Sequence, residues 1–248
     1  MPIWEHWFDG KSFTTDWTSL NFASWSAILA PWQNREMDIL EIGTWEGRAT
    51  IFFLEFFKSS RLTCIDTFLG SPEHCGPEFD IASTETRFDE NTASYGSRVE
   101  KIKTRSVAAL DRLAQDGRCF DLIYVDGSHR REDVMADSAL AWKLLKHNGL
   151  MIWDDFLWGG GGQVPDADRP QRAIEAFLVG VGGEIKILQL DRQVVGQKRA
   201  GGDLPSAPDA PRWVFPRTPG NFLRFLLKRP IDIHPLEFSA HAMFMRSQ

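Results

Sequence analysis

A chain of 248 residues, 43% hydrophobic and 25% charged, has the make-up of an ordinary globular protein with room for one sizeable core. The net charge of −6 and the lack of a dense Lys/Arg block argue against nucleic-acid backbone binding, and no apolar run reaches the ~20 residues that cross a bilayer, so no membrane partner is expected. The opening MPIWEHWFDGK has no basic stretch leading into an apolar core, and Cys64, Cys75 and Cys119 are too few and scattered for a disulfide framework or a zinc site. Both features point to reduced thiols in a cytoplasmic protein.

The first 36 residues hold Trp4, Trp7, Trp17, Trp25 and Trp32, with Phe8, Phe13 and Phe22 among them. Rings of this size bury large areas, and most of them are expected to pack on the main domain. A lid, or an interface between copies of the chain, is the other use of such a segment. Residues 37–42, MDILEI, read as a strand stopping at Gly43, and RATIFFLEFFK after Gly47 as a buried helix. RLTCID (61–66) is a second strand ending in Asp66, followed by a loop and a helix over Thr84–Thr92. VEKIKT (99–104) is a third strand, and a helix follows from Ser106, a plausible N-cap, to Ala114. Residues 120–125 and 149–153 are the fourth and fifth strands, and the helix between them is expected to stop at His147-Asn148-Gly149.

Strands and helices alternate through five units, which predicts a doubly wound, mostly parallel α/β sheet with right-handed crossovers. The rhythm then changes. A helix over 170–180 precedes EIKILQL (184–190) and RQVVGQK (192–198), which only Asp191 separates, so these two must pair antiparallel. The expected organisation is an aromatic segment (1–36), an α/β domain (37–200) and a C-terminal extension (201–248). The Pro/Gly-rich stretch 201–220 reads as a linker or surface wrap, with a short helix over 222–227 after it.

Three groups of residues carry chemistry. The first is Glu41-Ile-Gly43-Thr-Trp-Glu-Gly47 at a strand-to-helix turn, where glycine admits a close ligand and the helix start offers free N–H groups. It is not the G-x-G-x-x-G dinucleotide pattern, and Glu46 in the turn is poorly placed for a pyrophosphate. The second is Asp66, about 20 residues further on at the end of the next strand, where an acid can accept ribose hydroxyls. The third is the rim formed by Asp126, His129, Asp154 and Asp155. Adjacent strands lie ~4.8 Å apart, so Asp126 and Asp154 at their ends can share one divalent cation. Hard oxygen ligands suit Mg²⁺, and a neutral His129 can take a proton from a hydroxyl.

The segments LEIGTWEGRAT, CIDTF, FDLIYVDGSHRREDV and LAWKLLKHNGLMIWDDF resemble the class I S-adenosylmethionine-dependent methyltransferases. The likeness is to the macrocin-type, sugar O-methyltransferase branch (methyltransferase family 24-like), over about residues 37–156. It implies a Rossmann-like sheet of seven strands with an antiparallel final hairpin. It also implies a cofactor site of Glu41, Gly43, Thr44, Trp45, Gly47, Asp66, Thr67, Ser106 and Asp126, with Glu41 toward the methionine amino group, Asp66 on the ribose and Ser106 near the adenine. Asp126, Asp154 and Asp155 are the implied Mg²⁺ ligands, and His129, with Asp126, the catalytic pair. The expected activity is methylation of a small-molecule hydroxyl. Thr67–Tyr95, the Gly159–Gly162 run as a mobile flap, and the aromatic N-terminus are the expected acceptor walls. A nicotinamide-dependent oxidoreductase and a non-catalytic cofactor-binding scaffold are the rival readings.

Overall fold

The computed structural model describes residues 3–200 except 75, 77, 78, 161, 163, 166 and 167. Cys75, Gly161 and the whole of 201–248, including the expected linker and short helix, lie outside the described residues.

The seven strands β1 (Asp38–Ile42), β2 (Arg61–Asp66), β3 (Val99–Lys103), β4 (Phe120–Val125), β5 (Leu145–Trp153), β6 (Ile185–Leu190) and β7 (Val194–Lys198) form one sheet in the order β3-β2-β1-β4-β5-β7-β6. Pairing is parallel as far as β5, and β7 runs antiparallel between β5 and β6. The expected fold class and final hairpin are thus present. Six helices accompany the strands among the described residues: α1 (Phe22–Leu29), α2 (Arg48–Phe56), α3 (Thr84–Thr92), α4 (Ser106–Gln115), α5 (Arg131–Leu144) and α6 (Pro170–Val181).

The central strands are apolar on both faces because both faces are covered. Leu40, Ile42, Ile123, Val125, Met151 and Trp153 point into one core, together with residues of α4, α5 and α6. Ile39, Leu122, Tyr124, Leu150 and Ile152 point into the other, with residues of α1 and α2. Most N-terminal aromatics belong to this second core. Phe22 stacks on Phe52 with ring centroids 4.6 Å apart, and Trp25 stacks on Phe53 at 4.9 Å. Trp25 is fully buried and its Nε1 donates to Gln193 Oε1 at 2.7 Å. Trp17 differs: it is 47% exposed.

Two local expectations are corrected. Helix α5 ends at Leu144 and β5 begins at once, so His147-Asn148-Gly149 lies inside the strand rather than capping the helix. Asn148, not Gly149, is left-handed there (φ +61°), and the β4–β5 register shifts nearby. Gly149 is needed for space, because a Cβ would come 2.8 Å from the Lys146 carbonyl oxygen. Ser106 is the first residue of α4 rather than its cap, which is Arg105 in an extended conformation.

The strand ends are tied at one edge of the sheet. Gly43 N donates to Ile65 O, Asp126 N to Ile42 O and Asp154 N to Val125 O, all at 2.8–3.0 Å. Glu41 and Asp66, near the ends of β1 and β2, and Asp126 and Asp154, just past β4 and β5, therefore converge at the carboxyl edge of the sheet. The order of the sheet reverses between β1 and β4, which is where open α/β sheets bind ligands.

Candidate active site

A cleft of about 1020 Å³ opens at this edge. Pockets for one drug-sized ligand run to roughly 300–1,000 Å³, so the cleft has room for more than one small molecule. All the expected site residues line it except Gly47, which starts α2 just behind.

At the β1–β2 end the turn is built by backbone contacts. Gly43 has φ +84°, and a Cβ there would lie 1.9 Å from the Asp126 carbonyl oxygen. Its small size serves the packing of one loop on another, and Gly43 also lines the cleft. Trp45 is also left-handed (φ +49°), an uncommon backbone state for a large residue. Asp66 holds this turn: its Oδ2 accepts Thr44 N at 2.7 Å and Trp45 N at 2.9 Å, while Oδ1 accepts Phe68 N at 2.7 Å. A carboxylate has about four acceptor positions, so little capacity is left for ribose hydroxyls. Thr67 lines the cleft and its Oγ1 accepts Leu69 N at 3.3 Å.

Glu41 is 1% exposed. Its Oε2 accepts Thr50 Oγ1 at 2.6 Å, and its Oε1 is buried with no partner. Burial pushes its pKa up to about 8 against the opposing Thr50 bond, and Asp66 adds to the rise. Thr44 Oγ1 and Trp45 Nε1 are likewise buried and unpartnered. Glu46, expected to face a ligand in the turn, instead points to the N-terminal segment. It accepts Thr14 N at 2.6 Å, Thr14 Oγ1 at 2.7 Å and Arg87 Nε at 2.6 Å. This strut holds residues around Phe13–Asn21 as a wall of the cleft.

Ser106 lines the far end beside Asp137 of α5, with which it shares a hydrogen bond. Asp137 is 1% exposed, and its Oδ1 has no partner. Burial pushes its pKa up to about 6 against the Ser106 contact, with Asp133 adding to the rise.

At the β4–β5 end the polar groups hold one another. The buried Tyr124 hydroxyl is 2.8 Å from Asp126 Oδ2 and also contacts Asp154 Oδ2. One hydroxyl carries one proton, so the two carboxyl groups compete for it. Burial raises the pKa of Asp126 well above the usual carboxylate range, with Asp154 and Asp155 contributing. Burial and then Asp155 push Asp154 up to about 6. His129 Nε2 lies 2.6 Å from Asp155 Oδ2, and Nδ1 lies 2.6 Å from Glu73 Oε1 as an ion-pair contact. Burial alone would lower the pKa of His129, but Asp155 and then Glu73 outweigh it and the net shift is upward. Trp158 packs on the ring at 4.4 Å.

The group with metal-binding spacing is Asp126, His129 and Asp155, whose ligand atoms lie within 4.8 Å of one another. The expected trio had Asp154 in place of His129. Here the Asp154 oxygens are taken by the Tyr124 hydroxyl and by the Asp155 N–H. Two oxygens and an imidazole fit a divalent cation of the Mg²⁺–Mn²⁺ kind more loosely than three carboxylates do.

Tyr124 and Asp137 were not expected in the site, and Glu73 and Trp17 were expected only as part of the acceptor walls Thr67–Tyr95 and the aromatic N-terminus, not as individual residues. Asp137 had a signal: it is an acid in the buried stripe Val134, Asp137, Ser138, Ala141 of α5. Tyr124 also had one, since it lies two residues before Asp126 and so on the same face of the strand. Glu73, on a loop, had none.

A seven-stranded sheet of this order, with a cleft at its reversal point and carboxylates along it, defines a Rossmann-like α/β protein with its cleft where such sheets bind ligands. Residues 40–156 match the sequence model of the family described as a methyltransferase domain. Two curated relatives are similar: an uncharacterized protein R132 of Acanthamoeba polyphaga mimivirus (26% identity, 55% of this chain and 59% of the relative), and the O-methyltransferase hkm8 of Aspergillus hancockii (28%, 49% and 44%). The chain thus spans about half the length of the curated relatives it matches. Among solved structures, the MycE methyltransferase of the mycinamycin biosynthetic pathway, in complex with Mg, S-adenosylhomocysteine and mycinamycin VI, shares the fold. Its TM-score is 0.57 at 17% identity, over 90% of this chain and 57% of that one. No described helix is long and apolar enough to cross a membrane.

Proposed function

We propose that the protein transfers the methyl group of S-adenosylmethionine to a hydroxyl of a small molecule, assisted by a divalent cation such as Mg²⁺ and by His129 as base. The observation that carries this reading is the presence, in one cleft, of the unpartnered Glu41 Oε1 and the Asp126–His129–Asp155 group. The methyltransferase-domain match and the MycE complex, which holds Mg and S-adenosylhomocysteine, support it.

Glu41 would pair with the ammonium group of the cofactor, a charge that answers its raised pKa. Thr44 Oγ1 and Trp45 Nε1 remain to bind the carboxylate end. Asp66 stiffens the turn and has one acceptor position left for a ribose hydroxyl. Asp126 and Asp155, with Asp154, would hold the cation, which would supply Lewis-acid activation of the acceptor oxygen, and His129 beside them stays free for the proton.

The chemistry asked of the protein is alignment and proton removal. His129 can accept a proton only after one carboxylate has released a ring nitrogen. Glu73 keeps the Nδ1 proton, the proton between Nε2 and Asp155 is given up to solvent, and Asp155 turns away, which leaves the Nε2 lone pair free. The acceptor oxygen then forms its bond to the methyl carbon, the methyl–sulfur bond breaks toward sulfur, and the hydroxyl proton goes to Nε2. The products are a methyl ether and S-adenosylhomocysteine. A transfer assay over a panel of hydroxylated acceptors tests the reading. Formation of S-adenosylhomocysteine that is suppressed both by chelator and by His129→Ala is the expected result. Turnover indifferent to both would refute the cation and the base.

A further inference from the structure

Among the described residues the large exposed apolar side chains are Ile3, Trp17, Leu20, Leu69, Val107 and Leu157, and all but Ile3 line the cleft. Apolar surface gathered in this way marks a binding groove rather than chance exposure. Leu69 and Val107 follow β2 and open α4, so they flank the cofactor end. Trp17, Leu20 and Leu157 remain for the second ligand. Their neighbours are flat: Trp17 stacks on His74 at 5.3 Å with 12° between the planes, and Trp158 packs on His129.

The same wall carries positive charge in a protein of net charge −6. Arg48 and Arg87 at the N-terminal wall are committed to Asp16 and Glu46. Arg130, next to His129, and Arg192, whose carbonyl accepts Phe156 N beyond Asp154–Asp155, line the cleft from either side of the acidic group. Both are exposed, and neither has a carboxylate partner among the described residues. With acids this close, unpaired guanidinium groups at the rim select for an anion from outside.

We propose that the acceptor is an amphipathic ring compound: a flat, largely apolar body that presents its hydroxyl to His129 and carries an oxyanion group at its far end for Arg130 and Arg192. This rests on the methyl-transfer reading and deepens it. The apolar body lies on Trp17, Leu20 and Leu157, and a saturated, uncharged polyol would leave both the apolar wall and the arginines unanswered.

The test is calorimetric titration of the full chain, saturated with S-adenosylhomocysteine, using three probes: a dihydroxynaphthalene sulfonate, the uncharged dihydroxynaphthalene and a methyl glycoside. The expected order of affinity is sulfonate, then neutral aromatic, then glycoside, with about tenfold between the last two. Arg130→Gln and Arg192→Gln are each expected to weaken the sulfonate about fivefold, the upper end for an exposed ion pair, and to leave the neutral aromatic unchanged. Added salt should narrow the same gap. Trp17→Ala should weaken both aromatic probes about tenfold. An unchanged affinity of the arginine variants for S-adenosylhomocysteine shows that they remain folded. A glycoside bound as tightly as the aromatics, or a sulfonate indifferent to both arginine variants, would overturn the proposal. Binding is read without turnover, so the expected order without methyl transfer would refute the reaction alone, and methyl transfer with the order reversed would refute this inference alone.

Discussion

The two ends of the cleft differ in how their polar groups are satisfied. At the β1–β2 end and beside Ser106, Glu41 Oε1, Thr44 Oγ1, Trp45 Nε1 and Asp137 Oδ1 are buried with no hydrogen-bond partner. At the β4–β5 end, Tyr124 bridges Asp126 and Asp154 and His129 Nε2 meets Asp155, while Nδ1 lies beside Glu73 without a hydrogen bond. Buried polar atoms without partners are costly, and a native protein keeps them where a ligand completes them. On the proposed function the β1–β2 end is the cofactor's and is already shaped, while the β4–β5 end is held by contacts that a ligand must displace. The first end is a mould; the second is a latch.

This contrast can be broken experimentally, beginning where the effect is largest. His129→Ala should lower turnover by roughly 10²–10⁴-fold, the usual range for a lost general base, while leaving the affinity for S-adenosylhomocysteine nearly unchanged. Stopped assays beside calorimetry would show whether the two ends separate in this way. Glu41→Gln should act in the opposite sense. It should weaken cofactor binding by roughly 10–100-fold, as for a lost hydrogen bond to a charged group, with little effect on turnover at saturation.

Tyr124→Phe leaves Asp126 and Asp154 without their bridge. The expected cost is about 1–3 kcal/mol of stability in denaturant titrations near neutral pH. If the bridge mainly holds a proton there, a divalent cation should recover much of that loss in the variant. The smallest effect is a slope with pH. The Glu41 carboxyl has its pKa raised to about 8, so its stabilising protonated form is fully present below the ordinary carboxylate range and is lost as pH rises through about 8. Asp154 and Asp137, each at about 6, act in the same direction at lower pH. The melting temperature of the cofactor-free protein should therefore fall from pH 5 to pH 8, and Glu41→Gln should flatten the upper part of that slope.

The legible and the hidden parts of the molecule follow the range of the forces involved. Short runs bounded by Gly, Asp and Ser marked the strands of the parallel half, and the short Asp191 connection exposed the final hairpin, because these are local patterns. The helix over Thr84–Thr92 was legible for the same reason. The end of α5 was misread because Asn148-Gly149 makes as good a left-handed cap as it does a strand irregularity, and only the pairing of β4 with Leu145 decides between them. The identities of Asp66, Asp126, His129 and Asp155 as cleft residues were readable from strand ends. Their partners were not. Glu73 reaches His129 from a loop, Glu46 turns to Thr14 and Arg87 because Trp45 is left-handed, and Trp17 separates from the other N-terminal tryptophans only once residues 13–21 are pinned across the cleft. Each of these depends on contacts between distant segments, which composition and periodicity do not encode.

The central claim is that a preformed cofactor end works independently of a latched, cation-dependent acceptor end. Calorimetric titration of S-adenosylhomocysteine into the full chain, with excess Mg²⁺ and again with chelator, tests it most directly. The account predicts binding of the same affinity in both titrations. No binding in either, or binding that appears only with the metal, would contradict it.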